Sequence, residues 1–96
     1  MHKSRGPNMN ILVGGVCASI TYLTQGQFLG EEFPILARVI RENEGRIPEA
    51  QRVRVLQVID AAALHDEHLR QTREPDADWY ERIGMFRSFI RDYRFP

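Results

Sequence analysis

Apolar residues recur at helical spacing in four stretches of this chain. Over 9–24, Leu12, Val16, Ile20 and Leu23 fall on one side of a helix. Gly14, Gly15, Ala18 and Ser19 gather in a small-residue strip that lets another helix approach closely. Each interior Gly costs about 1 kcal/mol relative to Ala. The same letters permit a β-hairpin turning at Gly14-Gly15. The helix is favoured because no other segment offers a convincing strand, and an isolated hairpin is marginal.

Gly26 ends that pattern, and Phe28 and Leu29 read as loop residues tucked under the core. A second helix is expected over 31–44. Glu31 and Glu32 suit its positive N-terminal end, and Pro34 fits only in its first turn. Phe33, Leu36, Val39 and Ile40 form its buried stripe, and Gly45 is a candidate left-handed stop. The third helix, over 48–73, opens at Pro48 with Glu49 beside it, and Pro75 marks its exit. Val55, Leu56, Ile59, Ala62 and Ala63 make one face, with Val58 and Leu69 flanking it. Val53 and Leu64 carry apolar character elsewhere, which suggests a central position. The last helix, over 78–93, is the clearest. Trp79, Ile83, Phe86, Ile90 and Tyr93 follow at spacings of 4, 3, 4 and 3, Phe89 widens the seam, and Asp78 with Glu81 resembles a capping box. Four helices with short connections predict an all-α compact bundle: a flexible arm over 1–8 and a single helical domain over 9–96.

Length and composition narrow this further. Ninety-six residues suit one domain. Forty-three per cent hydrophobic and 27% charged residues describe a folded chain. The formal net charge is zero, which argues against a purely electrostatic nucleic-acid binder. That zero is a sum of opposed segments: residues 31–44 and 74–78 are acidic, while 1–10 and 79–96 are basic. One cysteine, Cys17, excludes an intramolecular disulfide and fits a small apolar role in a reducing compartment. Lys3 and Arg5 before an apolar run raise a secretory reading, but that run is short and interrupted by Gly14-Gly15. No apolar stretch approaches the roughly 20 residues of a membrane span, so a cytoplasmic protein is expected.

Three constellations bear on chemistry. His65 and His68 lie three residues apart and could reach one metal, but no second ligand-bearing motif accompanies them. A wheel count sets both opposite the Val55–Ile59–Ala62 face, as solvated or partner-facing residues. Glu74, Asp76 and Asp78 evoke a calcium loop but lack its glycine and terminal glutamate, so they read as a helix start. Twelve of the 13 basic residues are Arg, the side chain suited to bidentate anion contacts and aromatic stacking. Arg87, Arg91 and Arg94 fall beside the aromatic seam, with Tyr80, Tyr93 and Phe95 near them.

No phosphate-binding glycine loop or nucleophile elbow appears, and no cofactor is called for. A helix-turn-helix reading would use Arg46, Arg52 and Arg54, but the acidic second helix repels phosphate. The expectation is a non-enzymatic protein-interaction module that self-associates as a homodimer or docks a partner. Its expected surface is Tyr80, Arg87, Arg91, Tyr93, Arg94 and Phe95. A nucleic-acid-binding regulator and a metal-dependent enzyme using His65 and His68 are the alternatives.

Overall fold

The computed structural model describes residues 6–74 and 77–94. It is an all-α bundle of α1 (Met9–Thr24), α2 (Glu32–Glu42), α3 (Glu49–Thr72) and α4 (Trp79–Asp92). Among the described residues there is no strand. The segment with the hairpin alternative is the continuous helix α1. Most of the arm, residues 1–5, lies outside the described residues. Asn8 is the N-cap of α1: its side-chain oxygen accepts from the Asn10 N–H at 2.9 Å and the Ile11 N–H at 3.3 Å.

The packing centre is α1, not α3 as the spread of apolar residues suggested. α1 packs against all three other helices, and α3 packs against α4. Met9, Val13, Val16, Ile20 and Leu23 of α1 meet Val55, Val58, Ile59, Ala62 and Leu69 of α3 and Ile83, Phe86 and Phe89 of α4 in one core. Val53 and Leu64, which suggested a central α3, are solvent-facing at 65% and 67% exposure. Each fully buried large aliphatic or aromatic side chain contributes roughly 1.5–3 kcal/mol by leaving water.

Local expectations hold in some places and fail in others. Gly26 (φ +79°) supplies the left-handed turn after α1, and Leu29 tucks under the core. Gly15 lets α2 approach, since a Cβ there would stand 2.9 Å from Leu36 Cδ1. Gly14 has nothing within 4 Å. Gly45 is no left-handed stop: Glu44–Arg46 forms a 3-10 turn instead, fastened by Arg52 Nη2 donating to the Ile47 carbonyl at 3.0 Å. The left-handed stop falls on Arg73 (φ 62°) after α3. On α2, Ala37 rather than Val39 joins Phe33 and Ile40 in the core. Asp78 makes no side-chain cap; its carboxylate faces Arg82 one turn on at 3.9 Å. Pro75, Asp76 and Phe95 lie outside the described residues.

Candidate functional site

Tyr80, Gly84, Arg87 and Arg91 follow at spacings of 4, 3 and 4, so they line one side of α4, and all four are exposed. Tyr80 is 77% exposed. Arg87 Nη2 donates to the Thr24 carbonyl at 3.3 Å, at the negative C-terminal end of α1. Arg91 Nε donates to Asp92 Oδ1 at 2.9 Å. That bond holds the Asp92 carboxyl below its ordinary range and raises the guanidinium. Arg54 approaches Asp92 from α3 at 3.8 Å, with its guanidinium 5.5 Å from the Phe89 ring centre.

Tyr93 does not belong to this strip. α4 ends at Asp92, and the extended backbone of Tyr93 turns its ring against Phe89, at a centroid distance of 5.4 Å. Its hydroxyl donates to Asn10 Oδ1 at 3.4 Å. Burial, and then the neighbouring Cys17, push the phenol well above its usual range. Tyr93 therefore ties the end of α4 to the start of α1. Arg94 lies past the helix, where its guanidinium donates to the Tyr93 carbonyl.

His65 is the largest departure from the sequence reading. It is 1% exposed, on the core face and not opposite it. Positions 55, 58, 62, 65 and 69 advance by three or four residues, which keeps His65 in phase with the buried stripe. Its ring centre lies 4.4 Å from that of Trp79 and 5.6 Å from that of Phe86, the latter edge-on. Its Nδ1 accepts from Arg82 Nε at 2.9 Å. His68 is half-buried one turn further on, beside a depression of about 240 Å³ that Ala61, Leu64, His65 and Arg82 also line. Among the described residues, no group of three or more His, Cys, Asp and Glu side chains could hold a metal ion. Cys17 is half-buried, and that burial raises its thiol above the ordinary value, which disfavours the nucleophilic thiolate.

One concavity went unread in the sequence. An open groove of about 760 Å³ lies between α2 and α3. Leu29, Phe33, Ala37 and Ile59 form its apolar floor. Arg41 pairs with Asp60 across the two helices. At the other end, Asp66 accepts from the Leu29 N–H at 2.7 Å, and Arg70 bonds both Asp66 and the Leu29 carbonyl. Arg38 stands on the same rim. The helix-turn-helix arginines are largely used internally: Arg52 holds the 3-10 turn and Arg54 lies against Phe89 and Asp92.

These features define a small four-helix domain with an aromatic and cationic strip on one helix and an apolar groove between two others. The chain matches no protein-family model, no curated protein and no solved structure. Among the described residues, no helix is long and apolar enough to cross a membrane.

Proposed function

We propose that the chain is a non-enzymatic protein-interaction module that docks an acidic partner surface through α4. The observation that carries this reading is Tyr80, 77% exposed at the head of a strip with two exposed guanidiniums. Tyr and Arg are the side chains that dominate binding hot spots, and arginine forks match carboxylates. The test is capture from an extract of the source cells on immobilised protein, read by mass spectrometry. Arg87→Glu with Arg91→Glu is expected to lower retention of the specific partner at least about tenfold, as does Tyr80→Ala. The fold stays intact, because all three side chains are exposed. An unchanged set of captured proteins in both variants overturns the reading.

A second reading rests on the groove. Its volume falls within the roughly 300–1,000 Å³ of small-molecule sites. Its floor is apolar, and its lining carries Glu31 and Glu42 as well as Arg38. The ligand class this fits is a mainly apolar small molecule. Anilinonaphthalene sulfonate, a probe of apolar grooves, is expected to bind the native protein saturably at one equivalent. Ala63→Trp obstructs the groove from an exposed position and is expected to weaken the dye about tenfold or more. Absence of dye fluorescence with the native chain removes this reading.

A further inference from the structure

The loop between α1 and α2, residues 25–31, forms one wall of the groove through Leu29, Gly30 and Glu31. Beyond the adjoining ends of α1 and α2, it hydrogen-bonds α3 alone among the described residues, and every such bond is on Leu29. The Leu29 N–H donates to Asp66 Oδ1 at 2.7 Å, and the Leu29 carbonyl accepts from Arg70 Nη2 at 3.1 Å. Arg70 Nε donates to Asp66 Oδ2 at 2.7 Å and closes the ring of bonds. The Arg70 guanidinium also stands 4.5 Å from the Phe28 ring centre, and that of Arg73 stands 5.1 Å from it. This clasp outweighs the other pair across the groove. The side chains of Arg41 and Asp60 are 47% and 63% exposed, and such surface pairs contribute little. The Asp66 side chain is 14% exposed, so water competes poorly for a carboxylate that already takes an amide and a guanidinium.

The clasp holds a segment with pliant joints. Gly26, at φ +79°, and Gly30 bracket Gln27, Phe28 and Leu29, and glycine passes through backbone conformations closed to other residues. A short segment with one fastening and two joints has a fastened and a released state. Leu29 makes the two states differ for a ligand. Fastened, its side chain is 6% exposed and belongs to the groove floor; released, that part of the floor is gone. We infer that residues 25–31 are a strap that closes on the occupant of the groove: Asp66 and Arg70 clasp it, and an apolar small molecule binds only the fastened form. This coupling rests on the groove reading above and adds its regulation. A ligand that needs the Leu29 wall holds the strap shut, and each change that loosens the clasp opposes the ligand. Asp66 and Arg70 are positioning residues, acting through Leu29.

The test is amide hydrogen exchange of the full chain by NMR, with and without Nile red. That dye is apolar and uncharged, so it does not compete with Asp66 for Arg70. Val58, in the buried middle of α3, reports global unfolding. The Leu29 amide is expected to exchange at least about tenfold faster than Val58, because the strap releases without the rest of the fold. Dye at about ten times its Kd is expected to slow Leu29 about tenfold, the factor by which a ligand restricted to the fastened form depletes the released one. Asp66→Asn and Arg70→Met are each expected to speed Leu29 about tenfold or more, by removing a charge-assisted bond of the clasp. Asp60→Asn, in the exposed pair, is expected to change it less than about twofold. Leu29 exchange as slow as that of Val58, or unmoved by Asp66→Asn, overturns the strap. A dye that binds and leaves the Leu29 rate unchanged overturns the coupling alone. A dye that does not bind the native chain removes the groove reading and the coupling with it.

Discussion

Replacing Phe86 with Ala is expected to destabilise the domain by about 3–5 kcal/mol. Phe86 is 0% exposed, at the point where α4 enters the core between Ile83 and Phe89. Its ring stands edge-on to His65 of α3, so truncation opens a cavity beneath both helices. The cost has two parts, the lost transfer energy of the ring and the unfilled space that neighbours cannot collapse to occupy. A domain of this size has roughly 5–15 kcal/mol to lose, so the variant stands near the edge of folding. Urea denaturation followed by circular dichroism measures the effect. Ile90→Ala serves as the control on the same helix; Ile90 is only half-buried and is expected to lose about half as much. A cost below about 1 kcal/mol for Phe86→Ala would show that α4 does not close this core.

The strength of each sequence signal decides what could be read in advance. α4 was legible because its apolar residues keep a strict three-four spacing and its opposite side is charged. α1 was legible as a helix for the same reason, but its central place was not. The signal for that place was the absence of charge, and an absence does not show in a stripe of apolar letters. α3 misled in the opposite way. Exposed Val53 and Leu64 blur its apolar face, and the true stripe runs through a polar letter at His65. The α2–α3 groove could not be read at all, because it is lined by residues of two helices and a loop brought together in space and not by any local pattern. Of the surface residues expected on α4, Tyr80, Arg87 and Arg91 share one exposed strip. Tyr93 stands apart from that strip because the helix stops one residue before it and its ring packs against Phe89.

The second large effect is expected at His65, where Ala should cost about 3 kcal/mol and lower Tm by more than about 10 °C. Two losses contribute. The imidazole fills space between Trp79 and Phe86, and its Nδ1 receives the Arg82 Nε hydrogen bond. The first loss dominates, because the Arg82 side chain is 26% exposed and can regain a partner from water. His65→Leu separates the two: it restores apolar volume without the acceptor and is expected to cost only about 1 kcal/mol. His68→Ala, at a half-buried position, is expected to cost about 1 kcal/mol or less. This order also discriminates a packing role from a metal site. A ligand pair would lose equivalent metal-dependent stability at both positions, and zinc would raise Tm through preferential binding to the folded state. The expected result is a large loss at His65, a small one at His68, and a Tm indifferent to zinc. Equal losses at the two positions, together with a zinc-dependent Tm, would return the pair to the role of metal ligands.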